Sequence, residues 1–206
     1  MGALLVYEVI TAFFLESAFL GVLLFGRKLV PQWAHALSAI LVAFGTVLSS
    51  FWILAVNSWM QTPDGFEVID GRFFPLSLSA VIFTPSFPYR LAHTVSAFLI
   101  TTGFVILAVG AYYTRRGMAL AESRIMMRMS LLFLAVFVPL QIVLGDLHGL
   151  NSLKHQPAKV AAMEGLWETQ RGVAASRFAI PDAEAEINHF ERITSRFPSP
   201  GLPVCT

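Results

Sequence analysis

The feature that most restricts this chain is a set of four apolar stretches, at roughly residues 4–26, 33–56, 91–113 and 125–145. About twenty apolar residues, rising about 1.5 Å each, cross the hydrocarbon core of a bilayer as a helix, and each stretch reaches that length. Helices are expected because hydrocarbon offers no partner to an open backbone N–H or C=O. The expected fold class is therefore all-α, a polytopic membrane helical bundle with about four transmembrane helices and lipid as its solvent. Composition agrees: with 56% apolar and 13% charged residues and a mean hydropathy of +0.68, the chain has too little polar surface to solvate a globule of 206 residues. No basic residue precedes Arg27. A cleaved signal opens with basic residues, so the first stretch reads as a retained span.

Orientation follows from the residues flanking the spans. Arg27 and Lys28 follow the first, Arg115 and Arg116 follow the third, and Arg124 and Arg128 open the fourth, so all six fall on one side, read as cytoplasmic. The N-terminus, the loop of about 57–90 and the tail from Asp146 then face outward. Arg72 and Arg90 stand on that outer side against the rule, accompanied by Asp64, Glu67 and Asp70. The expected division is a transmembrane region over 1–145 and an outward-facing part over 146–206. Within the outer loop QTPDG (61–65) signals a turn, and LSLSAVIF (76–83) is too short to span but apolar enough to lie in the interface. The tail holds one amphipathic helical segment at about 157–170 and a Pro/Gly-rich end, FPSPGLPVCT, expected to be disordered.

Charge and cysteine content exclude several function classes. The net charge of +1, with no Lys/Arg run interleaved with aromatics, leaves no electrostatic footprint for nucleic acid. Cys205 is the single cysteine, so there is no disulfide framework, cysteine metal cluster or CxxCH haem attachment. A cofactor would be held by His, Met or carboxylates.

Glu8 and Glu16 lie inside the first span, where a carboxylate is costly unless protonated, paired or facing a polar cavity. On a regular α-helix their spacing turns them about 80° apart and separates them by roughly 12 Å, a geometry suited to a proton relay. For Glu8 the plainer reading is an interfacial carboxylate near a helix start. Ser49 and Ser50 lie mid-span beside Trp52; such hydroxyls either bond back to their own helix or serve a proton path. His93 opens the third span at a depth where imidazole can ligate a haem iron, or simply satisfy an amphipathic helix start. His35, at the end of the second span that carries the basic residues, is a weaker ligand candidate. Asp146, His148 and His155 sketch a metal site, but no HExxH-type spacing accompanies them and a zinc centre is not expected. Lys159 and Glu164 are five apart, about 140° round a helix, so they either serve separate roles or reach a ligand from two sides.

Four strings, YEVITAFFLESAFLGVLLFG (7–26), LSSFWILAVNSWMQTPDGFE (48–67), GRFFPLSLSAVIFTPSFPYRLAHT (71–94) and GDLHGLNSLKHQPAKVAAMEGLWETQ (145–170), carry a family likeness. Together they resemble subunit I of the cytochrome bd quinol oxidases, from Leu4 to about Ile187, with GDLHG pointing to the cyanide-insensitive-like branch. The resemblance implies that quinol, ubiquinol or menaquinol, is oxidised at the outer face of a bacterial cytoplasmic (inner) membrane. Electrons would pass through a low-spin haem b to a high-spin haem b and a haem d, or a b-type haem in its place, reducing oxygen to water. It implies His93 as an axial ligand of the low-spin haem. Glu8, Glu16 and Ser49 would belong to the proton path near the high-spin haems. Lys159 and Glu164 would belong to the quinol-binding loop, of which the outward-facing tail is a part. Subunit II is an implied partner.

Against that family the chain is expected to be truncated at both ends, its spans matching the third to sixth and its sequence drifting after about Ile187. The histidine of a high-spin haem, the methionine opposite His93 and a further glutamate ligand would then come from missing parts of subunit I. Two outcomes stay open: a fragment of a terminal quinol oxidase that works only in an assembly, or an inactive truncated or frame-shifted membrane fragment. The isolated chain is expected to be inactive.

Overall fold

The four apolar stretches fold as the helices Leu4–Lys28, Gln32–Gln61, Phe87–Arg115 and Leu120–His155 in a computed structural model that describes residues 2–163, 165, 167, 176–182 and 184–193. Their large side chains point mostly outward. Phe14 and Leu24 are 62% exposed and Ile142 70%, an arrangement that water would penalise and lipid would solvate. The chain divides into two units, Met1–Asp146 and Leu147–Thr206.

In the first unit the opening span is not one regular helix. It comprises α1 (Gly2–Glu8), a π turn (Val9–Phe13) in which the Phe14 N–H donates to the Val9 carbonyl five residues back, and α2 (Phe14–Phe25), followed by a 3-10 turn at Gly26–Lys28. A π turn holds one residue more than an α turn and rotates everything beyond it by about 100°. The expectation of a regular helix is corrected here. Helix α3 (Gln32–Gln61) starts after Pro31, whose missing N–H costs no helical bond at that position.

Beyond α3 the loop contains an antiparallel hairpin, β1 (Phe66–Ile69) and β2 (Arg72–Pro75), in a stretch read from the sequence as loop. Ile69 pairs with Arg72, leaving Asp70 (φ 49°) and Gly71 (φ 72°) as a two-residue turn with both φ angles positive, the form that matches strand twist. Trp59 of α3 packs edge-on against Phe66 and Phe73, and its indole N–H donates to the Asp64 carbonyl at 2.9 Å. Ser77 caps α4 (Leu78–Ile82) by accepting the Ala80 N–H. The segment expected to lie in the interface buries Val81 and Ile82 against Leu4, Ala55, Val56 and Phe87. That cluster joins the start of α1, the end of α3 and the start of α5 (Phe87–Arg115).

A turn with positive φ at Gly117 and Ala119 leads to α6 (Leu120–His155). Ser96, Gly103 and Gly110 are buried on α5 at intervals of seven. Opposite them stand Gln141, Leu134 and Met127, also seven apart: the Ser96 hydroxyl donates to the Gln141 amide oxygen. A Cβ at Gly103 would meet Leu134 Cδ2 at 3.0 Å, and one at Gly110 would meet Met127 Cγ at 2.9 Å. Two antiparallel helices thus share a small-residue seam with a 3.5-residue period, the arrangement that lets backbones approach where lipid provides no hydrophobic drive. Pro139 sits inside α6, where it removes one backbone bond.

In the second unit, α7 (Pro157–Met163) is followed by Gly165 at φ +64°, so the helix expected over about 157–170 is shorter. The fourth span likewise outruns its expected end near 145, continuing to His155. An antiparallel hairpin, β3 (Ser176–Asp182) and β4 (Ile187–Ile193), was not foreseen. The end expected to be disordered, 197–206, lies outside the described residues. The helical class holds, with two short hairpins added.

Two tests follow from the packing and the turn. Gly110→Leu overfills the α5–α6 seam and lowers stability by about 1–3 kcal/mol, read as a lower Tm in detergent. Gly21→Leu serves as the control, because a Cβ at Gly21 meets nothing within 4 Å. In the β3–β4 turn, the backbone N–H of Ala185, the His189 side chain and the backbone N–H of Glu184 hold the exposed Asp182 carboxyl below its ordinary pKa. A depressed carboxylate stabilises the folded turn above the ordinary range and stops doing so as pH falls through about 4 and below. Amide exchange at Ala185 should therefore accelerate, relative to its intrinsic rate, across that window, and Asp182→Asn should remove the change.

Candidate functional site

The Ser49 hydroxyl donates to Glu8 Oε1 at 2.8 Å, crossing from α3 to the end of α1. Ser50 does the ordinary thing, bonding back to the Thr46 carbonyl at 2.8 Å. Of the two mid-span hydroxyls, Ser49 is therefore the one that reaches a carboxylate. Glu16 meets the same face of α3 one turn further on. A Cβ at Gly45 would lie 2.6 Å from Glu16 Cγ and 3.6 Å from its carboxyl carbon.

The π turn explains how both carboxylates reach one face. Eight residues of regular α-helix would leave them about 80° apart; the extra residue takes back about 100°, reducing the offset to about 20°. Their contact points on α3, Ser49 and Gly45, are four residues apart, about 6 Å along the axis. Both side chains are half-buried, and among the described residues no Lys or Arg lies within ion-pair distance of either.

Neighbouring polar groups fasten the π turn. The Thr11 hydroxyl donates to the Tyr7 carbonyl at 2.6 Å and accepts the Trp52 indole N–H at 2.9 Å, while Tyr7 stacks on Trp52 at 5.4 Å. At the other end of the helix pair His35 Nε2 lies 3.0 Å from the Leu23 carbonyl, which gives that imidazole a structural tie.

His93 stands on α5 in a second place. Gln141 Nε2 is 3.2 Å from its Nδ1 and 3.3 Å from its Nε2, and a Cβ at Gly145 would lie 3.3 Å from its Cε1. Because the Gln141 amide oxygen receives the Ser96 hydroxyl, its NH₂ group faces the imidazole. One turn earlier Arg90 Nη1 donates to Asn57 Oδ1 at 2.6 Å, tying the start of α5 to α3. A half-buried imidazole held by a neutral amide, beside a glycine that leaves room at the ring, is of a kind that could hold a haem iron. Among the described residues no three His, Cys, Asp or Glu side chains converge as a separate metal group.

In the second unit, Lys159 is exposed on α7, and Glu164 lies outside the described residues. His155 Nδ1 is 3.0 Å from the Asn151 carbonyl. Sequence reasoning missed Gly45, Thr11, Gln141 and Gly145. Only Gly145 left a trace, inside the GDLHG string; nothing local distinguishes the others.

The model of the cytochrome bd terminal oxidase subunit I family matches residues 1–199. The chain belongs to this family. The match runs past Ile187, so the drift expected there is corrected. Cytochrome bd-II ubiquinol oxidase subunit 1 of Escherichia coli (strain K12) is 38% identical over 196 residues, 92% of this chain and 37% of that protein. Cytochrome bd ubiquinol oxidase subunit 1 of Bacillus subtilis (strain 168) is 38% identical over 191 residues, 90% and 40%. The solved bd oxidase of Geobacillus thermodenitrificans superposes with a TM-score of 0.76 at 28% identity, covering 90% of this chain and 43% of that one. The chain thus spans about two fifths of the length of these cytochrome bd relatives.

The Ser49–Glu8 bond is directly testable. Ser49→Ala withdraws a donor from a half-buried carboxylate and should cost about 1–3 kcal/mol, read by thermal unfolding in detergent. Ser50→Ala, losing only a bond back to its own helix, should stay within about 0.5 kcal/mol.

Proposed function

We propose that this cytochrome bd subunit I chain contributes a proton path and a haem-ligating helix to a terminal quinol oxidase of the bacterial inner membrane. The observation that carries the reading is the shared face of α3, where Ser49, bonded to Glu8, and Gly45, against Glu16, stand one turn apart. Carboxyl groups and a hydroxyl in line can hold and pass protons through a region that excludes bulk water. Relatives named as ubiquinol oxidase subunits support the substrate class.

His93 would hold the low-spin haem b, with Gln141 and Gly145 fixing the imidazole. When bound, that group supplies an iron able to take up and release single electrons. Lys159 and Glu164 belong to the quinol loop within 146–206, where an amine and a carboxylate orient ubiquinol or menaquinol and accept its proton. The remaining haems, a high-spin haem b and a haem d or its b-type substitute, and subunit II complete the oxidase together with other parts of subunit I. Arg27, Lys28, Arg115, Arg116, Arg124 and Arg128 support a cytoplasmic placement for that end of the helices, with the N-terminus and quinol loop outside.

Glu16→Gln, introduced into a complete oxidase carrying this segment, should slow oxygen reduction about a hundredfold while leaving the quinol KM unchanged. An equal loss of quinol binding would sink the proton-path role. In the same oxidase His93→Ala should abolish the low-spin b band of the reduced-minus-oxidised visible spectrum; an intact band would exclude His93 as the ligand.

A further inference from the structure

We propose that Gly45 and the π turn at Val9–Phe13 are positioning elements that set the Glu16 carboxyl in line with the Glu8–Ser49 pair. The proposal rests on the proton-path reading and names what makes the path continuous.

Three observations carry it. First, Gly45 lies inside α3 with no positive φ, so its backbone needs no glycine, and glycine weakens a helix interior relative to alanine. What excludes a larger residue is its neighbour: the added Cβ would lie 2.6 Å from Glu16 Cγ, against 3.6 Å from the Ala12 carbonyl oxygen. The nearest obstacle is therefore the carboxyl-bearing side chain, and a methyl group there displaces Glu16 before it separates the backbones.

Second, Ala12 belongs to the π turn and is fully buried. The turn that rephases the helix is thus packed into the same contact. Third, the rephasing is specific in its effect. Without the π turn, the same eight residues wound as regular α-helix would set Glu16 about 80° round from Glu8 rather than about 20°. Thr11, also within the turn, is anchored to α3 through Trp52, which holds the turn in register with Ser49 three residues earlier.

The test uses the complete oxidase carrying this segment, with Gly45→Ala, Glu16→Gln, the double variant and Thr11→Val. Thr11→Val keeps the side-chain shape but removes the hydroxyl that bonds the Tyr7 carbonyl and the Trp52 indole, so it loosens the π turn without filling the Gly45 contact. Readouts are the oxygen-reduction rate against pH and the redox-linked infrared carboxyl band that Glu16→Gln removes. The haem spectrum and quinol KM report assembly. Gly45→Ala should slow oxygen reduction about ten- to a hundredfold, consistent with a misplaced catalytic group, and shift the Glu16 band. The haem spectrum and KM should stay unchanged, and the double variant should be no slower than Glu16→Gln alone.

An unshifted band with an unchanged rate, or losses that multiply in the double variant, overturns the proposal. Should Gly45→Ala fail to assemble, Thr11→Val carries the test: a slowing with a shifted Glu16 band supports the proposal and a wild-type rate with an unshifted band overturns it. If Glu16→Gln itself has no effect, the proton-path reading falls and this proposal with it. If Glu16→Gln slows turnover while Gly45→Ala does not, only the positioning role falls.

Discussion

Hydrocarbon accepts no hydrogen bonds, and the polar groups that meet between the four helices answer to that constraint. Backbone groups are absorbed by helix formation. Side chains then pair between helices: Ser49 with Glu8, Trp52 with Thr11, His35 with the Leu23 carbonyl, Arg90 with Asn57, and Ser96 with Gln141. Because the large apolar residues face lipid, hydrophobic burial contributes little to the contacts between helices. Those contacts depend on polar pairs and on small residues that admit close approach.

Close approach is achieved differently in the two helix pairs. Between α5 and α6 a heptad of Ser96, Gly103 and Gly110 forms a regular seam, and its continuation delivers His93 to Gly145. Between α1–α2 and α3 the regular helix is interrupted instead, and one extra residue turns two carboxylates toward a single face. Regular packing places His93 and an irregularity places the carboxylates. Both use glycine as clearance for a polar side chain.

These arrangements give the family membership a physical content. Similarity to cytochrome bd subunit I names a class of protein, while the shared face of α3 shows which polar groups this segment brings together. The polar pairs also connect the two places: Asn57 on α3 and Arg90 on α5 lie on the same helices as Ser49 and His93.

Much of the fold was legible in the sequence because length and hydropathy leave a membrane helix few alternatives. The spans of α3 and α5, and Glu8, Glu16 and Ser49 as polar exceptions, follow from residues read one at a time; His93, expected to open its span, lies in the second turn of α5, which begins at Phe87. The Asp70–Gly71 turn was also written there, in a dipeptide whose preference for positive φ is local. The π turn was not: VITAF has no composition that marks it, and it exists because Thr11, Tyr7 and Trp52 satisfy each other across two helices. Gly45 and Gly145 read as unremarkable helical glycines until Glu16 and His93 are set against them. The sequence by itself determined how many helices cross and which polar groups they carry; tertiary structure decided which of those groups meet, because helix phase and interhelical clearance are properties of pairs of helices.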